Sequence, residues 1–405
     1  MQRFVAVKGE VGGGSERKNC PMTRTLHRST WFLLVGAIML CGVSLWVWTK
    51  FGADLWNDHI EYWSAARVLL AGGNPYDPDT LLEAQRAAGR LRDDAILFWN
   101  PPWVLTLFVP LALVPYRTSA LIWLFVQTAI VLGGCGYLWR LYGGDPSRSK
   151  QGILIGMLFP PVFLAIGFGQ VSLIAFLALV LFLRFEKGGQ LLAAGSAAFL
   201  LTIKPHLLVP FGVVLLAWSI KPGRRRVLLG VFGAAVVLSI TPVLLHVGIY
   251  GDYVAAFASH PPREFVTDTL AAGLRLIVGW DKFWVQFVPV LIGGAWAASR
   301  WASLRQDWSW REELPLLALV SAVVAPYGWL FDFVITLPAV LQVAVIASER
   351  PEPWVRRFLF LGYLGFVIVV TTMHIRFWDP IGYVHGWFAP FLLVGYVVVI
   401  TCTEG

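Results

Sequence analysis

Twelve apolar runs of 14 to 22 residues follow one another between residues 31 and 402, most of them joined by short polar links. A spanning helix needs about 20 predominantly apolar residues, and within lipid a helix satisfies all of its own backbone groups. The chain is therefore expected to be an all-α, polytopic integral membrane protein. The runs lie at 31–51, 118–139, 151–167, 169–184, 190–203, 204–219, 227–247, 283–299, 314–329, 331–347, 358–374 and 385–402. Composition agrees, with 57% of the 405 residues hydrophobic and 14% charged, against about 45–50% and about 25% in soluble domains. Residues 1–30 form a Gly-rich basic tail, expected to be cytoplasmic and disordered. The run 31–51 reads as a retained signal anchor, because it is longer than a cleaved leader's apolar core and lacks a small-residue cleavage site. Residues 31–402 then make a single transmembrane domain. The four cysteines are too few and scattered for a disulfide framework or a metal site. Cys20 lies in the tail, while Cys41, Cys135 and Cys402 sit in apolar runs, where packing roles are expected.

The net charge of +8 is informative through its placement. With the basic tail inside and the runs alternating, the inner side receives the tail, Arg140/Arg148/Lys150, Arg184/Lys187, Lys221/Arg224/Arg225/Arg226, Arg300/Arg305/Arg311 and Arg350/Arg356/Arg357. That is 21 of the 32 Lys and Arg, as the positive-inside rule requires. Splitting the basic clusters among short loops disfavours nucleic acid as a partner. This solution holds if the stretch 98–116 does not cross. Pro101, Pro102, Pro110 and Pro115 break it at both ends and in the middle, which suits a re-entrant or interfacial hairpin.

The outer face then collects the first loop 52–97, the Gly167–Gln170 turn, Lys204-Pro205-His206, the loop 248–282, the Tyr327–Asp332 segment and the residues from His374 to His385. Six of the seven histidines fall there or at that surface: His59, His206, His246, His260, His374 and His385. Lys204 and Asp332, both costly at membrane depth, converge on the same side, which favours an outward-facing pocket. In the first loop Asp58 is a candidate helix N-cap, Ile60, Trp63, Arg67 and Leu70 follow at helical spacing, and Gly72-Gly73 supplies the stop. An amphipathic helix lying on the outer surface is expected, ending in the turn Asn74-Pro75-Tyr76-Asp77-Pro78.

Several of these segments together resemble glycosyltransferase family 87. They are Asp58 shortly after the first run, Tyr62-Trp63-Ser64-Ala65-Ala66-Arg67, Leu69-Leu70-Ala71-Gly72-Gly73-Asn74-Pro75-Tyr76-Asp77-Pro78, and Phe98-Trp99-Asn100-Pro101-Pro102 with Pro110-Leu111-Ala112-Leu113-Val114-Pro115. Gly169-Gln170, Lys204-Pro205 and Pro326-Tyr327-Gly328-Trp329-Leu330-Phe331-Asp332 complete the set. The likeness runs from about residue 31 to 347 and is strongest in the first loop. One position departs: Phe331 stands where family members often carry His or Tyr. The resemblance implies a GT-C glycosyltransferase fold with about 12 transmembrane helices, sitting in the plasma (inner) membrane with its active site facing outward. It also implies a polyprenyl-phosphate-linked sugar donor, typically mannose, and a glycolipid or glycan acceptor in an alpha-1,2 linkage. No cofactor is implied, and membrane lipids are the remaining partners.

Such a transfer, if inverting, needs a base for the acceptor hydroxyl and positive groups for the departing phosphate. By its place in the family's motif, Asp58 matches the catalytic carboxylate, with a pure capping role, or Asp54 as the base, as alternatives. Lys204 leads as the donor-phosphate group against simple snorkelling, with His206 and Arg67 behind it. Glu61, Tyr62, Asn100, Gln170, Tyr327 and Asp332 complete the candidate substrate-binding set. Glu61, one turn from Asp58, would raise its pKa by like-charge repulsion, or else would lie on a solvated face. No Asp-x-Asp pair or His/Glu cluster has metal-ligand spacing, and Asp77-Pro78-Asp79 reads as turn chemistry, so no metal is expected. Two other readings stand beside this one: an arabinofuranosyltransferase using a polyprenyl-phospho-arabinofuranose donor, and a lipid or glycolipid transporter. A transporter usually carries internal repeats and midplane ionisable groups, and neither is evident here.

Overall fold

Prolines and glycines divide the apolar runs into helices where a helix cannot continue. A computed structural model describes residues 57–350, 352–376 and 384–404. The expected tail and the anchor at 31–51 lie outside the described residues. In chain order the helices are α1 (Asn57–Leu70), α2 (Pro78–Ala87), α3 (Leu105–Ala112), α4 (Tyr116–Leu141), α5 (Ser149–Leu158), α6 (Pro160–Phe168), α7 (Ser172–Lys187), α8 (Leu191–Phe199) and α9 (Val209–Ser219). They continue as α10 (Arg226–Leu245), α11 (Ile249–Ser259), α12 (Leu270–Val278), α13 (Val288–Leu304), α14 (Trp310–Val324), α15 (Leu337–Ser348), α16 (Pro353–Arg376) and α17 (Phe388–Glu404). Among the described residues there are no strands.

Each expected run after the anchor falls on helix, but they differ in reach. Among the described residues four helices are long and apolar enough to cross a bilayer alone: Tyr116–Leu141, Arg226–Leu245, Leu330–Ser348 and Arg356–His374. The run 151–167 is instead a pair, α5 and α6, bent by 63°. Its cause is local: Pro160 and Pro161 force Phe159 into an extended conformation with ψ 120°. Segment 98–116 folds as a 3-10 turn, Pro102–Val104, followed by the eight-residue α3. At 1.5 Å per residue α3 spans about 12 Å, well short of a hydrocarbon core of about 30 Å. The two runs flanking Lys204 are also short, as Leu191–Ile203 and Val209–Ser219, and they meet at Lys204-Pro205. The loop 248–282 is largely helical, carrying α11 and α12.

The first loop departs from expectation in an instructive way. α1 does stop at Gly72, whose φ of +77° suits a residue without a Cβ. However, it is not an amphipathic helix lying on a surface. His59, Ile60, Glu61, Tyr62, Trp63, Ser64, Ala65, Ala66, Val68 and Leu69 are all buried, and Arg67 alone in the body of the helix is exposed. The helix is enclosed by α2, α3, α4, α6 and α10, so its polar residues must find partners inside the protein. Asp58 also does not cap it: the helix begins at Asn57 and Asp58 lies in the first turn. Asp77, by contrast, is a true cap, accepting from the backbone N–H of Thr80 at the start of α2.

Between membrane helices, close approach depends on small residues. A Cβ on Gly195 of α8 would lie 1.9 Å from the carbonyl oxygen of Val227, and one on Gly230 of α10 would lie 2.0 Å from that of Leu192. The α8 and α10 backbones therefore touch, and Ser196 donates to the Gly230 carbonyl at 3.2 Å. On the opposite face of α10 Phe232 and Val236 are exposed, as on a lipid-facing surface. Gly230→Val is expected to lower the thermal midpoint and yield of the detergent-solubilised protein. Gly233→Val, where a Cβ meets nothing within 4 Å, is expected to leave both unchanged.

Candidate active site

The site starts from a glycine. Gly169 ends α6 in the left-handed conformation, with φ +67°, and a Cβ there would lie 2.7 Å from the Cβ of His59. Only glycine lets the turn press against α1, and this contact puts Gln170 beside Asp58. The turn is fastened from α4, where Trp123 donates to the Gly169 carbonyl at 2.8 Å and Gln127 donates to that of Gln170 at 2.8 Å.

Gln170 joins three motifs through one amide. Its Oε1 accepts from the Tyr62 hydroxyl at 3.0 Å and from Lys204 Nζ at 3.1 Å, while its Nε2 donates to Asp58 Oδ2 at 2.5 Å. A hydroxyl and an ammonium both require an acceptor, so the amide orientation is determined and its N–H groups are left for the carboxylate. Lys204 Nζ also donates to Asp332 Oδ1 at 2.6 Å, and Asp332 accepts from Ser172 Oγ at 2.5 Å and from the Trp329 backbone N–H at 3.1 Å. Asp332 is fully buried, so its charge is matched by the ammonium and two further donors, as burial of a charge requires. The variant position Phe331 has a use in this setting: Lys204 Nζ lies 5.0 Å from its ring centroid.

Asp58 is part-exposed and its Oδ1 has no hydrogen bond among the described residues. Burial pushes its pKa up to about 6, opposed by the Gln170 hydrogen bond and the Lys204 charge. Glu61 is not on a solvated face. It is buried, accepts from the Trp99 N–H at 3.3 Å, and its carboxyl is held well above the usual range, first by burial and then by Asp58. Asp58 is thus one of the groups that act on Glu61. The expected coupling therefore runs the other way, and desolvation is what raises Asp58. His59 donates to or accepts from Ser119 Oγ at 2.9 Å, stacks with Tyr116 and Trp123, and burial lowers its pKa to about 3.

The other candidates divide. Asn100 is a tie, donating to the Ile203 carbonyl at 3.0 Å next to Lys204 while its own carbonyl accepts from Tyr76 at 2.9 Å. His206 and Tyr327 meet edge to face at 6.0 Å, each with a buried polar atom that has no hydrogen-bond partner among the described residues. Arg67 is not brought into the network. It is exposed, donates to the Ala112 carbonyl at 3.3 Å and lies over Trp63, so it secures the 98–116 segment to α1. The histidines do not form one group either: His246 pairs with Asp252, His260 with Ser259, and His374 lies against His385. Among the described residues no three His, Cys, Asp or Glu side chains converge as metal ligands do. Sequence reasoning missed Ser172 and Gln127. Gln127 had a signal, being a buried amide within an apolar span, whereas Ser172 had none.

Removing one member of a buried ion pair strands the other, at a cost of about 3–5 kcal/mol. Lys204→Met is therefore expected to destabilise the protein strongly. Adding Asp332→Asn, which keeps an acceptor for Ser172, should restore most of the thermal stability without restoring catalysis. Unfolding midpoints of the single and double variants in detergent check this.

The sequence profile of glycosyltransferase family 87 matches residues 98–372. The match begins after the first-loop motif and extends past residue 347, where the visible likeness ended. A curated relative from Mycobacterium tuberculosis, a polyprenol-phosphate-mannose-dependent alpha-(1-2)-phosphatidylinositol pentamannoside mannosyltransferase, is 22% identical over 364 residues, covering 77% of this chain and 79% of its own. No solved structure matches the chain. With the profile covering more than half of the chain, on an all-helical membrane architecture, the protein belongs to glycosyltransferase family 87 and is a membrane glycosyltransferase of GT-C type.

Proposed function

We propose that the protein is a mannosyltransferase that moves a mannosyl residue from a polyprenyl-phosphate donor to an envelope glycolipid or lipoglycan, on the extracytoplasmic face of the plasma membrane. The observation that carries this reading is the state of Asp58: one carboxylate oxygen accepts from Gln170, the other has no hydrogen bond among the described residues, and the group sits in the first loop. In a single displacement the acceptor hydroxyl gives its proton to Asp58 Oδ1 and its oxygen bonds to the anomeric carbon. The glycosyl–phosphate bond breaks, and its electron pair leaves with the polyprenyl phosphate. Lys204 spends two of its three N–H groups on Asp332 and Gln170 and keeps one for the departing phosphate. Tyr62, Gln170 and Asp332 act by fixing these two groups, and His206 and Tyr327 offer polar atoms that have no partner among the described residues to the sugar or the phosphate. The name of the mycobacterial relative supports the donor, and the family supports the reaction class.

Membranes containing the wild-type protein are expected to transfer labelled mannose from polyprenyl-phospho-mannose to endogenous glycolipid, and membranes with Asp58→Asn are not. Substantial transfer by Asp58→Asn would remove the base assignment. Absence of transfer by both would point to another donor sugar, polyprenyl-phospho-arabinofuranose first. A base with a pKa of about 6 must be ionised to work, so kcat/KM is expected to fall about tenfold per pH unit below about 6 and to level off above it. A profile flat from pH 5 to 8 would contradict Asp58 as the base.

A further inference from the structure

A cavity whose lining includes none of the Asp58 network residues opens beside α15. Asp332 precedes α15, whereas the cavity runs along that helix from Ala339 to Ser348, with Arg148 at the Ser348 end, where it donates to the Ser348 carbonyl at 3.5 Å. At helical rise Asp332 and Ser348 are separated by roughly 25 Å. The cavity, of about 820 Å³, opens between α5, α15, α16 and α17, a volume within the range that holds small-molecule ligands. It exists because α16 stands off the bundle: between residues 356 and 374 Val370 alone is buried.

Its lining combines two chemistries. Val343, Phe360 and Leu392 belong to an apolar interior, and Arg148, Arg356 and Arg357 line the same space. Arg148 is partly matched by Asp145 at 3.7 Å. Among the described residues Arg356 and Arg357 have no carboxylate within ion-pair distance. Tyr363 and Tyr396, which also line the cavity, are spent on the Ile155 carbonyl and on Gln342. Arginines without anions beside an open apolar volume, in a chain embedded in lipid, lack an amphiphile with a negative head. The basic N-terminal tail is no electrostatic match for them.

We propose that this cavity binds a membrane phospholipid with an anionic headgroup, its phosphate held by Arg148, Arg356 and Arg357 and its acyl chains lying against Val343, Phe360 and Leu392. Guanidinium groups bind phosphate oxygens bidentately, and basic pockets between membrane helices favour anionic lipids over zwitterionic ones. With the topology above, the site faces the cytoplasmic leaflet, opposite the leaflet of the transfer reaction. It is a lipid site separate from donor and acceptor.

The test uses the purified full-length protein in a zwitterionic detergent, titrated with dioleoyl-phosphatidylglycerol or dioleoyl-phosphatidylcholine and read by native mass spectrometry. The phosphatidylglycerol is expected to be retained preferentially. The Arg356→Gln/Arg357→Gln double variant is expected to bind it on the order of thirtyfold more weakly, with phosphatidylcholine binding unchanged. Val343→Trp, which fills the cavity, should weaken both lipids, and inorganic phosphate should not compete. Equal retention of the two lipids, wild-type phosphatidylglycerol affinity in the double variant, or displacement by inorganic phosphate alone would each overturn the proposal. Retention of neither lipid, as when another part of the chain fills the cavity, would also overturn it. None of these readouts depends on glycosyl transfer, so they stand apart from the reaction assigned above.

Discussion

The amide of Gln170 is the interaction on which the rest of the site depends. It touches the first-loop helix, the Lys204 break and, through Lys204, the Asp332 segment. These segments lie far apart in sequence, and each hydrogen bond to the amide removes a degree of freedom from a different one. A neutral amide suits this position. It accepts from the cation with one atom and donates to the carboxylate with another, so the two charged groups are organised without being paired directly. Had Lys204 met Asp58 itself, the carboxylate would have been stabilised in its charged form and made a poorer base.

Burial sets the chemistry of the first loop. Excluding water from α1 raises the pKa of Glu61 and lowers that of His59, and it pushes Asp58, whose Oδ1 has no hydrogen bond among the described residues, up to about 6. Three consecutive or near-consecutive ionisable residues on one helix thus acquire three protonation behaviours from their surroundings. The enclosing segments are fixed by the same helix: Trp63 donates to the Val114 carbonyl, Arg67 to that of Ala112, and Trp99 to Glu61. The proline-broken stretch after the first loop is therefore held against α1 at both ends.

Much of this was legible from residue patterns. Apolar run lengths located the helices, Gly72 ended α1, and the Gly169-Gln170, Lys204 and Asp332 elements were each marked by being polar or glycine in apolar surroundings. Two features were not legible, for physical reasons. α1 has a helical period of large apolar residues that suits a surface helix, but nothing in a local pattern shows that α2 and α3 fold over its other faces. The sense of the Glu61–Asp58 coupling depended on which carboxyl loses more water, a property of the packed environment rather than of spacing along a helix. Phe331 looked like a lost functional group, and only the position of Lys204 gave its ring a role as a cation's neighbour.

The Lys204–Asp332 pair also bears on how turnover ends. On the proposed reading, in which Lys204 meets the leaving phosphate, the buried aspartate already balances the ammonium, so the site carries little net positive charge when the leaving group acquires its full negative charge. An unpaired lysine would hold the spent lipid phosphate tightly and make its escape the slow step. A compensated one stabilises the departing oxygen at short range and exerts little pull at longer distances, so the carrier lipid is free to return to the bilayer. The same arrangement that fixes the base in place thereby favours product release over retention.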